Sequence, residues 1–430
     1  MRSRLLSSLG ALEERSFRLL FFGRSLSAIG DAIVPVAITF AVLELGDASD
    51  LGLVLSSYFG SRIVFVVIGG VWADRLPRQL VMIAADVLRA AVQGLIAFAF
   101  FTDTIQIWHL AASSALFGLA SAFFGPASTG LVPSLVSPAH LQQANALLGL
   151  SRNGIELFGP AVSGILVSTT GYGWIFAIDA ASFVASLACL AAMRLPTAKA
   201  AIAKQSFLAD ARDGLRVIVQ RRWLVMTLVC DALTNLTLAV YFVLGPVIVA
   251  EHFGGARDWG LIMTGGAAGG LVGGAIVLRW KPERPLLVAY LIMFVMPIQV
   301  AALAFELPLP LLMAGGGLVF MSIVMGNTFW QTMEQQHVPN EALSRVDSMS
   351  WMVSLVIMPV GFVLAGPLSE AFGVRATLLA AAALGAAALL LALASRSVRD
   401  LRRLEDNEPD ALATAATQTL QESWAAERPL

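Results

Sequence analysis

The segment Gly70-Val71-Trp72-Ala73-Asp74-Arg75-Leu76-Pro77-Arg78 is a short charged turn between two long apolar stretches, residues 51–72 and 80–101. Each stretch has about the 20 apolar residues that a helix needs to cross a bilayer. The aspartate and the arginines of the turn are costly to bury in hydrocarbon, so they indicate where the chain returns to water. This part of the sequence therefore predicts a membrane protein whose spanning helices are joined by short polar turns.

The rest of the chain repeats this pattern of apolar stretches and polar turns. Of its 430 residues, 57% are hydrophobic and 13% are charged, which excludes an ordinary soluble domain. Twelve segments are long and apolar enough to cross a bilayer as helices: 18–43, 51–73, 80–101, 107–129, 142–167, 173–194, 223–249, 259–279, 284–305, 309–333, 347–369 and 374–395. The predicted fold class is an all-α membrane protein with twelve transmembrane helices in two six-helix pseudo-repeats.

The basic residues predict the orientation of these helices. Arginine and lysine gather before the first segment, in the even-numbered connections and after the last segment, whereas the odd-numbered connections are mostly acidic. Because basic loops stay on the cytoplasmic side, we expect both termini in the cytoplasm and the protein in the cytoplasmic (plasma) membrane. We expect no cleavable signal peptide, because residues 1–18 are polar and the apolar stretch after them is longer than a signal peptide needs. We expect the lipid bilayer as a partner and no nucleic acid.

A long polar connection divides the chain into two similar halves. At an offset of 208 residues Gly52 falls on Gly260, and at an offset of 202 Gly171 falls on Gly373, as expected for duplicated halves. Within the connection, residues 206–219 have the apolar spacing of an amphipathic helix lying on the cytoplasmic face. The predicted parts are a cytoplasmic N-terminus (1–17), an N-terminal six-helix bundle (18–194), a cytoplasmic linker (195–222), a C-terminal six-helix bundle (223–395) and a cytoplasmic tail (396–430).

The charged turn resembles the G-x-x-x-D-R-x-G-R-[RK] loop between the second and third helices of the major facilitator superfamily. Four positions match this motif, namely Gly70, Asp74, Arg75 and Arg78, whereas Pro77 and Gln79 depart from it. The resemblance implies a secondary transporter that works by alternating access, with this turn as a cytoplasmic gate between the halves. Arg345, before the eleventh segment, is the expected partner of the gate.

Further stretches resemble one branch of this family, the exporters of macrolides, multiple drugs and siderophores. These are residues 24–31 (RSLSAIGD), 179–183 (DAASF) and 338–341 (VPNE). Residues 159–164 (GPAVSG) resemble the antiporter motif G-P-x-x-G-G, although the last glycine comes one residue late. The resemblance implies proton-coupled export of a lipophilic or amphipathic small molecule such as a drug, a macrolide or a siderophore-like compound.

Charged residues inside the apolar segments are candidates for proton coupling, because each needs a partner, water or a function. The predicted proton-coupling residues are Asp31, Glu156 and Asp231, and the predicted charge partners are Arg24, Arg62 and Arg152. Structural ion pairing is the alternative for each of them. Arg152 and Glu156 can pair within one helix because they are four residues apart.

Two further groups of residues complete the predicted sites. Asp86 and Arg89 are interpreted as a structural pair whose side chains reach the cytoplasmic interface. Aromatic and amide residues at mid-depth are candidates for the wall of the substrate cavity, because large apolar walls with few polar groups suit amphipathic ligands. They are Tyr58, Asn235, Tyr241, Phe242, Asn327, Phe329, Trp330 and Gln331.

Motifs of other functional classes are missing from the sequence. It has no phosphate-binding glycine loop, no H-E-x-x-H and no G-x-S-x-G, which argues against ATP-driven transport and against an enzyme. Neither a cofactor nor a metal site is expected. We predict a monomer that binds a small-molecule substrate and uses protons as the coupling ion. The alternatives are a lysophospholipid or lipid flippase of the same fold and a membrane sensor or scaffold that transports nothing.

Overall fold

The computed structural model describes residues 10–73, 77–137, 140–193 and 207–404, and in these ranges the chain forms helices and no strand. The first half consists of α1 (Arg15–Leu45), α2 (Ala48–Ala73), α3 (Arg78–Phe101), α4 (Ile107–Leu131), α5 (Leu141–Thr170) and α6 (Tyr172–Ala191). The helix α7 (Phe207–Val219) lies in the connection. The second half consists of α8 (Arg222–His252), α9 (Ala256–Val277), α10 (Pro285–Ile292), α11 (Val295–Ala304), α12 (Leu309–His337), α13 (Asn340–Phe372) and α14 (Val374–Ala394), followed by α15 (Arg396–Arg399).

Within the described part of the chain, ten helical segments are long and apolar enough to cross a membrane. They are α1, α3, α4, α6, α8, α9, the consecutive α10 and α11, α12, α13 and α14. The helices α2 and α5, with 26 and 30 residues, occupy the other two predicted segments. The prediction of an all-helical membrane protein is therefore confirmed, while the count of twelve spans and the location of the termini stay predictions.

Turns at equivalent positions of the two halves have the same unusual backbone conformation. Gly171, between α5 and α6, has a φ of 81°, and Gly373, between α13 and α14, has a φ of 87°. Glycine is required there because other residues rarely adopt this left-handed region. Asp103, between α3 and α4, and Glu306, between α11 and α12, each have a φ of 53°. These matched turns support the duplication that the sequence offsets predict.

The two halves pack together through glycines that are themselves related by the duplication. A Cβ atom on Gly52 of α2 would meet the carbonyl oxygen of Phe362 of α13, and one on Gly260 of α9 would meet the carbonyl oxygen of Pro160 of α5. Such small residues let helix backbones approach closely. The α2–α13 and α5–α9 contacts therefore form two equivalent seams between the halves.

The halves share a hydrophobic core at only one end of the described bundle. Near the odd-numbered connections, Phe40 of α1 lies in one buried cluster with Trp259 and Phe362 of the second half. At the opposite end the clusters are separate: Phe17 belongs to a core of first-half residues, and Val346 belongs to a core of α7 and second-half residues. Among the described residues, the halves therefore share a buried core at the odd-numbered end and have separate cores at the other.

Candidate functional site

A polar cluster lies inside the first half, where α6 packs on both α1 and α3. On α3, Asp86, Arg89 and Gln93 follow one another at i, i+3 and i+7, so they share one face of the helix. They are 0%, 4% and 3% exposed. The prediction that Asp86 and Arg89 reach the cytoplasmic interface was therefore wrong, because the close packing of α3 on α6 keeps both side chains inside the bundle.

Arg89 is held by aromatic rings rather than by one close carboxylate. Its guanidinium carbon lies 5.1, 4.7 and 5.4 Å from the ring centres of Phe117, Phe124 and Phe183. Its Nη2 donates a hydrogen bond to Ser121 Oγ at 3.0 Å. Arginine suits this position because its planar, weakly hydrated cation stacks on aromatic faces. The cation is thus fixed in an apolar part of the bundle.

The carboxyl group of Asp86 lies between this cation and α6. Its Oδ1 is 3.9 Å from Arg89 Nη1, and its Oδ2 accepts a hydrogen bond from Ser186 Oγ at 2.7 Å. Neither Asp86 Oδ1 nor Arg89 Nε has a hydrogen-bond partner among the described residues. The ion pair is therefore loose, and it leaves polar atoms unsatisfied that are costly to bury.

A second buried carboxyl group, Asp179 of α6, belongs to the same cluster. Its Oδ2 accepts a hydrogen bond from Gln93 Nε2 at 2.5 Å, and its side chain is 0% exposed. It lies against the backbone of α1 at Gly30, where an added Cβ would collide with its Oδ1. The absence of a side chain at Gly30 therefore allows α1 to approach this carboxyl group closely.

Asp31, the residue after this glycine, connects the buried cluster to accessible space. Asp31 lies in the middle of α1 and is surrounded by protein atoms, yet its side chain is accessible to solvent. Both observations are expected of a residue that faces an internal cavity. The charges that act on it come from Arg89 and Arg152, and its own charge acts on Asp86 and Asp179. Three carboxyl groups therefore interact around one deeply buried arginine.

The predicted pair on α5 lies at the border of this cluster. Arg152 Nε is 2.6 Å from Glu156 Oε1, and both side chains are exposed. The hydroxyl groups of Ser25 on α1 and Ser151 on α5 lie 2.7 Å apart, which holds the two helices together at this depth. The charge of Arg152 also acts on Arg24. Glu156 therefore has the local partner that its spacing predicts.

Arg62 lies apart from this arrangement. It is on α2, its side chain is exposed, and the structure records no ion pair between it and another described residue. The cations that act on Asp31 are instead Arg89 and Arg152. The sequence analysis did not assign Arg89 to Asp31, because Arg89 is close to Asp86 in the chain and was interpreted as its local partner. The shared i, i+3, i+7 spacing of Asp179, Ser182 and Ser186 on α6 was the signal that two polar faces meet.

The residues of the predicted gate are described in part. Asp74 and Arg75 lie outside the described residues, and Gly70 lies in the last turns of α2. At the start of α3, the guanidinium of Arg78 donates a hydrogen bond to the carbonyl oxygen of Gly130. Arg345 Nη1 lies 3.5 Å from Asp213 Oδ2 of α7. Arg345 thus joins the start of α13 to the linker helix in this conformation.

The predicted cavity residues fall into different environments. Asn235, Asn327 and Trp330 line one cavity inside the second half, together with Asp231, which was predicted for proton coupling. Tyr241 and Phe329 are each 4% exposed and lie in hydrophobic cores, where Tyr241 packs on Trp259 and Phe329 on Trp280. The remaining three are spread over the bundle. Tyr58 contacts the ring of Phe59 edge-on and that of Phe117 at a tilt, Phe242 packs against the core shared by the halves, and Gln331 is exposed.

A further pair of carboxyl groups joins α12 to α13. Glu334 is 2% exposed, and its Oε1 has no hydrogen-bond partner among the described residues. The charge of Asp347 acts on this carboxyl group. Two carboxyl groups therefore interact near the linker end of the bundle.

Comparisons with known proteins agree with this architecture. A family model described as Major Facilitator Superfamily matches residues 20–346. The multidrug efflux pump Tap of Mycobacterium tuberculosis is 29% identical over 385 residues, which cover 85% of this chain and 89% of that protein. Macrolide efflux protein A of Streptococcus pyogenes is 23% identical over 402 residues, which cover 90% and 97%.

Solved structures show the same fold at low sequence identity. A bacterial homologue of the iron transporter ferroportin, in an inward-facing state, matches with a TM-score of 0.69 and 18% identity, over 87% of this chain and 98% of that one. A POT family transporter in complex with a thioalcohol-conjugated peptide also has a TM-score of 0.69, with 12% identity over 88% and 95%. These likenesses concern the fold alone.

Proposed function

This chain belongs to the Major Facilitator Superfamily, and we propose that it exports lipophilic or amphipathic small molecules in exchange for protons by alternating access. As a member of this family it is a transporter, not an enzyme, and a multi-pass protein of the cytoplasmic membrane. The exchange with protons, the direction of transport and the class of substrate are the proposed parts.

The proposed topology has twelve spans with both termini in the cytoplasm. The helices α2 and α5 count as spans because they form the two seams with the second half. The odd-numbered connections then face outward, in agreement with their acidic composition. Since the halves share a core at that end and have separate cores at the other, we propose that the conformation is inward-facing.

The observation that carries the proton coupling is the excess of carboxyl groups over buried cations in the first half. Asp31, Asp86 and Asp179 interact with one another around Arg89, which is the deeply buried cation of the cluster. Several carboxylates cannot all stay ionised close together in an apolar region, so the cluster favours binding of a proton. Proton exchange with water then requires one member that is accessible.

Asp31 is that member, because it alone among the three carboxyl groups is exposed. In the proposed cycle it receives a proton when the cavity faces outward and releases it in the inward-facing state. Arg89, fixed by three rings, limits the negative charge that the cluster can hold. Arg152, together with Arg24 and Glu156, sets the electric field on the accessible side of Asp31.

The proposed substrates are bulky molecules with apolar bodies. The membrane helices of both halves carry mostly apolar side chains, and cavity walls of this kind suit amphipathic ligands. The names of the two relatives, a multidrug efflux pump and a macrolide efflux protein, fit this class. We further propose that Gly70, Asp74, Arg75, Arg78 and Arg345 close the cytoplasmic side when the cavity opens outward.

Transport by purified protein in proteoliposomes tests the proposal. Ethidium and labelled erythromycin serve as substrates, and a pH gradient is the one energy source. The wild type should accumulate them against their gradients. Asp31→Asn keeps the side-chain volume but cannot exchange a proton, so uphill transport should fall to background while counterflow of label persists. Asp103→Asn, a change in an exposed turn, is the matched control and should transport as the wild type does.

The same experiment separates the alternatives. Uphill transport by Asp31→Asn at the wild-type rate would contradict the coupling role of this residue. Movement of labelled lysophospholipid without movement of either drug would favour the flippase, and movement of nothing would favour the sensor or scaffold.

A further inference from the structure

A partly open cavity in the second half has a different chemical character from the cluster around Arg89. It is a cavity of about 130 Å³ between α8, α10, α11, α12 and α13. This volume is well above the roughly 10–15 Å³ that one buried water requires. Its lining includes Asp231, Tyr290, Asn327, Trp330, Ser350 and Trp351. Among the described residues that line it, Asp231 is the one charged side chain, and no lysine, arginine or histidine is present.

Asp231 has no cation within the described part of its surroundings. The hydroxyl of Tyr290 donates a hydrogen bond to Asp231 Oδ1 at 3.4 Å, which is long for a bond between two oxygens. The carboxyl groups of the first half, by contrast, interact with Arg89 or Arg152. Among the described neighbours, the negative charge of Asp231 is therefore not balanced by a cation, and its oxygens can accept further hydrogen bonds.

A second polar group in the same cavity, the hydroxyl of Ser350, has no hydrogen-bond partner among the described residues. Ser350 is 1% exposed, and its Oγ makes no hydrogen bond with another described residue. Native proteins rarely leave such buried groups unsatisfied, so each one needs an explanation. Asn235 adds an amide oxygen, because its Nδ2 is already bound to the carbonyl oxygen of Ser354 at 2.9 Å. Together these residues form a set of acceptors.

Aromatic rings complete the site. Tyr290, Trp330 and Trp351 all line the cavity. The orientation of Trp330 is fixed, since its Nε1 donates to Thr227 Oγ1 at 3.3 Å. Electron-rich aromatic faces attract cations, most strongly when water is excluded. A carboxylate, several acceptors and aromatic walls together match a compact organic cation that carries N–H groups.

We infer that this cavity binds the protonated amine of a transported molecule, with Asp231 as its counter-ion. The inference rests on the proposed transport function and adds the chemical class of the group recognised in the second half. The ammonium N–H groups donate to Asp231 and Ser350, while the aromatic rings contact the carbon atoms next to the nitrogen. Proton coupling then takes place in the first half, and the second half recognises the cation. Asp231 accordingly acts as the counter-ion of the substrate and not as the proton-coupling residue that the sequence predicted.

Calorimetric titration of the detergent-purified full-length protein tests the inference with two ligands of the same shape. 3-Phenylpropylamine is a cation at neutral pH, and 3-phenylpropan-1-ol is its neutral counterpart. Since a hydrogen bond to a charged group is stronger than a neutral one, the amine should bind at least about tenfold more tightly. Asp231→Asn should reduce the affinity for the amine to that for the alcohol, and Asp103→Asn should keep the wild-type ratio.

Asn327→Leu provides a second variant in case Asp231→Asn does not fold. Asn327 is exposed and has no hydrogen bond recorded with a described residue, so its replacement is compatible with folding. It should weaken binding of the amine about threefold or more by removing a polar group from the wall. Equal binding of amine and alcohol by the wild type would overturn the inference, and so would an unchanged ratio in Asp231→Asn.

The transport assay keeps this inference separate from the proposed function. If proton-driven transport fails while the wild type still prefers the amine, the antiport mechanism is wrong and the cation site remains. If transport of both labelled drugs is proton-driven but the amine has no preference, the cation site is wrong and antiport remains.

Discussion

Replacement of Arg89 is the sharpest test of the buried cluster. Arg89→Met keeps most of the side-chain volume but removes the cation from the three rings and from Asp86. Removing one partner of a buried charged pair costs about 3–5 kcal/mol, because the other charge is left without compensation. Asp86 is 0% exposed and Arg89 4%, so water cannot replace the lost interaction. We expect the free energy of unfolding to fall by about that amount.

A double-mutant cycle shows where this energy comes from. The ion pair itself is loose, at 3.9 Å, so most of the loss should come from the carboxylate that remains. In Arg89→Met combined with Asp86→Asn no such carboxylate is left at this position. The double variant should then be more stable than the sum of the single effects predicts, by about 1–3 kcal/mol.

The chain provides a matched control for this cycle. Arg152 and Glu156 form an ion pair within one helix as well, but both side chains are exposed, at 67% and 53%. The cycle with Arg152→Met and Glu156→Gln should give a coupling of about 0.3–0.5 kcal/mol. Unfolding free energies are measured by titration with sodium dodecyl sulfate in mixed micelles, followed by circular dichroism. Additive effects of Arg89→Met and Asp86→Asn within about 0.5 kcal/mol would refute the reasoning.

Three further predictions concern backbone contacts and the gate. Gly30→Ala should lower the melting temperature, because the new Cβ would collide with the carboxyl group of Asp179 on α6. Gly94→Ala on α3 should have little effect, since its Cβ would meet nothing within 4 Å, and equal melting temperatures of the two variants would contradict the close contact at Gly30. Gly52→Val should separate the halves at the outer end and lengthen spin-label distances there, while Gly60→Val on the same helix should leave them unchanged, because only the first side chain would meet the opposing half. Asp74→Asn should lengthen the distances across the cytoplasmic ends in the outward-open state, since differential contacts of about 1–3 kcal/mol shift such an equilibrium roughly five- to 150-fold. An unchanged distance distribution would speak against a gate at this turn.

Local features of the sequence predicted local features of the structure. Long apolar segments indicated the helices, because a chain in hydrocarbon has to satisfy its backbone hydrogen bonds within each segment. The spacing of Arg152 and Glu156 predicted their contact, since residues four apart are neighbours on any helix. The duplication predicted from the sequence offsets agrees with the turns at Gly171 and Gly373, whose φ values are 81° and 87°. The helices and the contact of Arg152 with Glu156 depend on residues that are close in the chain, where the sequence can be read directly.

Contacts between helices depended on the tertiary structure. The sequence offered Arg24, Arg62 and Arg152 as charge partners, but the packing of α6 on both α1 and α3 brought a further cation, Arg89, near Asp31. The same packing placed Asp179 beside Gln93. In the second half it gathered Asp231, Ser350 and three aromatic rings from separate helices around one cavity. The periodicity of a helix tells which residues share a face, but it does not tell which other helix that face contacts. Membrane helices are apolar on nearly all sides, so hydrophobicity does not distinguish the contacting face. Which helices pack together depends instead on the fit of small residues and polar groups.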